Sequence, residues 1–343
     1  MFEKKLKILI KIAEKMGEER KGEGSMRKKK KRKQKRNLKI KLKEMTLKDI
    51  IWLVKKIGKI KDSKNKRGRP RKYSESLIIA LLFLKVIQQL SFRELIYWAR
   101  QILGEVPALS TLHYRFRKIS LKVIRKIEQA IIDEILKENE DKKFIEIITI
   151  DGTGFGYDQI YRLNYMRGQE IREVSSHVKV VAIVGTLKEG INVVLRVALG
   201  PPYSDERKLG EPLLEDLDIK SKLIIADKLY GMKISMLEKF LKIAKKVIIP
   251  IQDTLRHSVK NPVRLAVKKC YEENKGLYCN RYIIEQTFAK IKNSYGRCEG
   301  AVLSQLAKLY SYVKFVAYNF AVLKALLFLF FCPIIFRTHS QNA

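Results

Sequence analysis

Three acidic residues fall where metal chemistry could use them: Asp151, Asp227 and Glu285. Asp151 closes the run Ile-Ile-Thr-Ile and Asp227 closes Leu-Ile-Ile-Ala, so each is expected at a strand end, whereas Glu285 lies in a segment of helical spacing. Two carboxylates on neighbouring strand ends and a third from a helix supply hard oxygen ligands and could hold a pair of divalent cations about 4 Å apart. Mg²⁺ suits such a set, with Mn²⁺ a possible substitute. Asp at a strand end is also an ordinary turn or helix-cap residue, so neither aspartate alone indicates chemistry.

The segment around Glu285 adds Tyr278, Arg281 and Lys292, spaced Tyr, two residues, Arg, three, Glu, six, Lys. On a single helix at about 100° per residue these four fall within about 60° of arc and project from one side. Ile284, Phe288 and Ile291 form a neighbouring apolar stripe that could face the core. The plain structural alternative is a solvated face on which Arg281 and Glu285 pair at i, i+4.

With this signature the chain resembles the DDE transposases of prokaryotic insertion sequences, in the group that carries Tyr-Arg-Glu-Lys around its third acidic residue. The first acidic motif resembles Asp151-Gly152-Thr153, and the second Ala226-Asp227-Lys228 followed by Tyr230. The gaps between the three acids suit a compact member without a large insertion before the Glu285 segment. Two features depart from the pattern: Leu229 and Gly231 stand where members often carry glycine and a further acid, and the first forty residues have no counterpart. The resemblance implies that Asp151, Asp227 and Glu285 bind metal and catalyse cleavage at transposon ends. The freed 3′-hydroxyl then attacks target DNA, with a hairpin intermediate on the transposon end. It implies that Tyr278, Arg281 and Lys292 contact the DNA backbone, with Thr153 a lesser candidate for positioning the first aspartate. A homodimer on paired ends is expected from the family.

These residues need elements to carry them. After residue 141 the pattern predicts strands at 144–150, 178–184 and 191–199, the first ending at Asp151 and the last two joined by a turn at 188–190. A partly helical stretch at 206–217 follows, with Pro212 a boundary, then a strand at 223–226, a helix at 235–244, a strand at 247–249 and a last helical region from Arg281. Three strands forming an antiparallel meander, then alternating helix and strand, is the element order of an RNase H-like α/β fold. Gly152, Gly154 and Gly156 lack the spacing of a nucleotide-binding loop and are expected in a flexible turn beside the site. His177 and His257 are expected to be ordinary hydrogen-bonding residues.

Upstream, residues 44–140 are expected to form a helical DNA-binding domain. Ser91 and Glu94 have the spacing of a capping box. After a turn at 104–107, Ser110 precedes Thr111, Tyr114, Arg115, Arg117 and Lys118 on one helix, as a helix-turn-helix reader requires; a helical bundle with a basic outer face is the alternative. Arg67 and Arg69, in Arg-Gly-Arg-Pro, resemble the core of a minor-groove AT-hook and equally suit a solvated linker. Residues 1–43 form a basic arm, expected to be disordered, read either as a DNA arm or as a solubilising tail.

Charge points the same way, with 72 Lys and Arg against 36 Asp and Glu and a net charge of +36. Double-stranded DNA is the expected partner, because each cation set against a phosphate releases counterions. The four cysteines have no C-x₂-C pair, so neither a zinc site nor a disulfide framework is suggested, and a cytoplasmic, nucleoid-associated setting is expected. The N-terminus lacks the shape of a signal peptide. The apolar run at 325–336 is interrupted upstream by Lys324, Asn319 and Lys314, so it is expected in a buried helix of the catalytic domain, 141–336, and not across a membrane. An RNase H-like nuclease without strand transfer and a non-catalytic DNA-binding protein are the competing readings.

Overall fold

The computed structural model describes residues 45–60, 71–137, 144–157, 162–167, 170–175, 177–188, 190–251, 261–299 and 304–331. The basic arm, Arg67, Arg69 and His257 lie outside the described residues. By its internal contacts Ile40–Ala343 forms one compact unit. Its first part is helical. Helix α1 (Leu47–Trp52) opens on a capping box of Thr46 and Asp49 and widens into a π-helical turn, Leu53–Ile57. Helix α2 (Glu75–Ile87) is capped by Ser74 and buried on nearly every side. The expected box of Ser91 and Glu94 opens α3 (Phe92–Leu103), which ends at Gly104 with φ of 74°. Helix α4 (Leu109–Lys118) starts one residue before Ser110, with Ala108 at its N-cap and no capping side chain. Helix α5 (Leu121–Lys137) sets Ile124, Ile127, Ile131 and Ile135 on one buried stripe.

The sheet follows the order β5-β4-β1-β6-β7, from β1 (Phe144–Tyr157), β4 (His177–Thr186), β5 (Asn192–Gly200), β6 (Lys220–Ala226) and β7 (Ala244–Ile248). Strands β1, β4 and β5 are antiparallel neighbours, while β6 and β7 run parallel to β1. Between β1 and β4 an unpredicted hairpin, β2 (Arg162–Arg167) and β3 (Glu170–Ser175), forms a separate two-stranded sheet. Strand β1 does not end at Asp151. It continues to Tyr157 because β4 stays paired with it as far as Gly156 opposite His177. Pairing with β6 does stop at Ile150 opposite Ala226, so Asp151 stands where β1 outruns its parallel neighbour. The three glycines are therefore strand residues and not a turn. A Cβ at Gly152 or Gly154 would fall on the side chains of Glu206 or His177.

Helix α6 (Glu206–Glu215) follows β5 and contains Pro212 in its interior, not at a boundary. It lies close to the sheet at Gly210, whose missing side chain leaves room for Ile150, Val181 and Tyr230. A 3₁₀ turn, Lys228–Met232, and α7 (Ile234–Ile243) precede β7. Asn261 caps α8 (Pro262–Glu273), an element the sequence pattern did not announce. A second 3₁₀ turn, Lys275–Arg281, leads into α9 (Tyr282–Tyr295), then the short strand β8 (Cys298–Glu299) pairs with the far end of β1.

The last helix, α10 (Ser304–Phe331), is buried along most of its length, and several of its polar residues pair with the rest of the fold. Asn319 accepts from the Val194 amide at 2.9 Å and donates to the Val194 carbonyl at 2.6 Å, replacing strand partners for β5. Lys314 is buried against Glu299 at 2.9 Å, and Lys324 reaches Asp49 at 2.8 Å. No helix among the described residues is long and apolar enough to cross a membrane.

Helix α10 joins α5 through Tyr312, whose hydroxyl donates to Glu128 at 2.5 Å. Burial lifts the Glu128 carboxyl to about 7, against the opposing pull of that hydrogen bond. A folded value above the unfolded one means that the folded state holds the extra proton between pH about 4.5 and 7. The stability this proton supplies is complete below that window and is lost as pH rises through it. Urea unfolding of Glu128→Gln is expected to show a flatter pH dependence, by up to about 3 kcal/mol across the window. An unchanged slope would contradict this placement of the proton.

Candidate active site

Asp151 and Asp227 become neighbours because Asp227 follows directly on Ala226, the last residue of β6 to pair with β1. Asp227 takes the N-cap position of the 3₁₀ turn yet makes no side-chain cap bond, so its carboxylate is not used as an ordinary turn residue's would be. Asp151 Oδ1 accepts from the Gly152 amide at 2.8 Å, and Oδ2 accepts from Arg281 Nη1 at 3.1 Å. The other end of the same guanidinium, Nη2, donates to Glu285 Oε1 at 2.5 Å. Arg281 thus ties β1 to the first turn of α9, where an acidic residue also suits the helix dipole.

Alternation along β1 sorts the two faces. Asp151, Thr153 and Phe155 face α9 and α10, where Phe155 meets Phe315 edge to face. Ile150, Gly152 and Gly154 face α6, as the contacts of Gly210 and Glu206 require. Between β1 and α9 lies a cleft of about 500 Å³, lined by Asp151 to Gly154, Glu285, Lys292, Asn293 and Arg297 among others. The end of Lys292 lies 5.5 Å from the centre of the Phe155 ring. Burial, then the nearby cations Arg297 and Lys314, lower its ammonium pKa from the usual range.

Burial is also the chief reason that the Asp151 carboxyl rises to about 6; the Gly152 amide and Arg281 oppose the rise, while Glu206 and Asp227 add to it. Among the described residues no three acidic, histidine or cysteine side chains stand close enough together to hold one ion as placed. The donor set nonetheless fits a hard cation, since Asp151 and Asp227 adjoin and a cationic guanidinium already lies between Asp151 and Glu285.

The predicted single helix from Tyr278 to Lys292 does not form. Tyr278 and Arg281 lie on the 3₁₀ turn, whose tighter winding of about three residues per turn rotates them away from the arc expected of an α-helix. Tyr278 packs on the core around Leu223, Ile225 and Ile248, edge to face with Tyr271 at 5.7 Å. Thr153 lines the cleft, but the hydrogen bonds to Asp151 come from Gly152 and Arg281. Arg115 is turned inward, paired with Glu75 at 2.5 Å and bonded to the Tyr73 carbonyl, so it braces α4 on α2. Arg117 is exposed.

Sequence reasoning missed Glu206, whose carboxylate packs against Gly152, pairs with Lys179 and accepts from the Tyr230 hydroxyl at 3.4 Å. The available signal was a glycine next to the first aspartate and an acidic pair, Asp205-Glu206, opening a helix. The geometry around Asp151 generates one test. Arg281→Met removes the cation that holds the Asp151 proton affinity down, so carbon NMR of that carboxyl is expected to titrate above about 6. A midpoint unchanged or lower would show that Arg281 does not face Asp151 in solution.

Residues 142–308, which include every cleft residue named above, match the family described as "Transposase DDE domain". An uncharacterized protein of Aquifex aeolicus is 36% identical over 266 residues, covering 77% of this chain and 82% of that protein. Among solved structures, the piggyBac transposase synaptic complex with hairpin DNA is similar over 82% of this chain and 73% of that chain, at 11% identity and a TM-score of 0.40. The Drosophila P element transposase strand transfer complex is similar over 52% of this chain and 38% of that chain, at 13% identity and a TM-score of 0.27. At those scores neither structural likeness carries an argument about fold or activity. The chain belongs to one family with the Aquifex aeolicus protein, and its residues 142–308 match the DDE domain of transposases.

Proposed function

We propose that this chain cuts DNA at the ends of an insertion sequence and joins the freed 3′ ends to target DNA. The observation that carries the reading is the Arg281 bridge between Asp151 and Glu285, beside Asp227, on a cleft lined by Lys292 and Arg297 within the matched transposase domain. The sheet order β5-β4-β1-β6-β7, with three antiparallel strands followed by two parallel ones, supports an RNase H-like reading of residues 141–336.

Asp151, Asp227 and Glu285 are the residues that would hold Mg²⁺, or Mn²⁺ in its place. Bound there, the metal would supply an activated water and stabilise the leaving oxygen in an in-line displacement at phosphorus. The protein's part is to hold three carboxylates at one mouth and to bring the phosphate to them. Arg281 can grip a phosphate in bidentate fashion once it leaves the carboxylates, and Lys292 acts as a point charge within the cleft. Tyr278, seated on the core beside Arg281, would limit how the backbone enters.

Residues 44–140 are proposed to read double-stranded DNA, with Arg117 available on their surface and Arg115 acting as a brace in place of a contact. The arm at 1–43 and the Arg67 and Arg69 cluster would add salt-sensitive affinity, in keeping with the charge of +36. Two copies on paired ends are the proposed assembly.

Asp151→Ala, Asp227→Ala and Glu285→Gln are each expected to lower Mg²⁺-dependent nicking of a transposon-end duplex by roughly a thousandfold or more, with DNA affinity nearly unchanged in gel shifts. Lys292→Ala is expected to retain metal binding and to lose end binding or the hairpin step, with partial recovery at low ionic strength. Nicking that is equal in Glu285→Gln and the unaltered chain would sink the metal-ligand role. Nicking without joining to target would leave a nuclease in place of a transposase.

A further inference from the structure

The acidic residue that the metal reading leaves unused is Glu206. It lies on the face of β1 opposite the Asp151 side chain, at the first turn of α6. Three independent contacts fix it. Lys179, on β4 opposite Gly154, pairs with Glu206, and the two side chains are each only 19% exposed. Tyr230, fully buried just beyond Asp227, directs its hydroxyl to Glu206 Oε2. The Glu206 carboxylate then occupies the space where a Cβ at position 152 would be.

We propose that Glu206 is a positioning residue for Asp151, acting through the Gly152 backbone and held in place by Lys179 and Tyr230. The Gly152 amide is the donor to Asp151 Oδ1, so whatever fixes the Gly152 peptide fixes one of the two hydrogen bonds that orient Asp151. Gly210 lets α6 approach closely enough for this, since a Cβ there would meet Ile150, Val181 and Tyr230. Tyr230 also links the support to the second acidic position, because its amide donates to the Asp227 carbonyl at 3.0 Å. One cluster thereby supports both aspartates from behind. Glu206 itself is held by Lys179 and Tyr230 on the far face of the strand, which makes it a support and not a ligand. The inference rests on the reading of Asp151 as a metal ligand.

Electrostatics and positioning make opposite forecasts for one substitution. Lys179→Met removes a cation near the carboxylates; through charge alone it would tighten Mn²⁺ binding, whereas loss of the anchor for Glu206 would weaken it. Mn²⁺ affinity of the full chain, read by electron paramagnetic resonance without DNA, is expected to fall about tenfold in Lys179→Met and in Glu206→Gln, the size typical of residues that orient metal ligands. Lys179→Arg is expected to restore most of it. Gly152→Ala is expected to weaken Mn²⁺ binding on its own but to add nothing in a Glu206→Ala background, where the space beside Gly152 is open. Circular dichroism confirms that each variant compared is folded. Unchanged or tighter binding in Lys179→Met, or fully additive losses in the double variant, would overturn the positioning role while leaving the catalytic reading intact. No Mn²⁺ binding by the unaltered chain, or none lost in Asp151→Asn, would overturn both.

Discussion

Carboxylates crowd the point where β1 outruns β6, and like charges so close repel unless cations are set among them. Asp151 and Asp227 meet there because β6 ends beside the point where β1 continues, Glu285 arrives from α9, and Glu206 backs the same stretch of strand. The protein answers with Arg281 on one face of β1 and Lys179 on the other. Burial, with Glu206 and Asp227 adding to it, still lifts the Asp151 carboxyl to about 6. Much of the surrounding architecture serves this one arrangement: the close seat of α6 at Gly210, the 3₁₀ turn that lifts Arg281 toward β1, and the buried α10 that carries Phe315 under Phe155.

The same geometry suggests how DNA is brought to the chemistry. Lys292 and Arg297 line the cleft beside Asp151 and Glu285, so under the proposed function a phosphate drawn in by them would arrive beside Asp151. Burial lowers the proton affinity of Lys292, which keeps its charge costly and therefore responsive to an anion that can share it. Under the proposed function, affinity for the rest of the duplex would be spread over an excess of cations and would be sensitive to salt.

Much of this was legible in the residues. Apolar runs ending in Asp151 and Asp227 located both strands, and the spacing of Ser91 and Glu94 located a helix start. What escaped depended on contacts distant in sequence. Strand β1 runs past Asp151 only because β4 keeps pairing with it, and the three glycines that read as a turn are small because Glu206 and His177 lean on two of them. The break before α9 has no proline to mark it, so periodicity alone carried one helix through Tyr278 and Arg281. Arg115, read from its helical face as a DNA contact, is set by the structure against Glu75, a partner forty residues away that no local pattern reveals. Asn319 and Lys314 looked like interruptions of an apolar helix, yet they tie it to Val194 and Glu299.

The central claim is that Asp151, Asp227 and Glu285 serve one metal centre, with Arg281 in its place until the ion binds. Anomalous scattering from a crystal of the chain grown with Mn²⁺ tests it directly. The account expects density bounded by Asp151 and Asp227, with Glu285 drawn in and the Arg281 guanidinium displaced from between Asp151 and Glu285. Mn²⁺ bound elsewhere, with the Arg281 bridge intact at saturating metal, would contradict it.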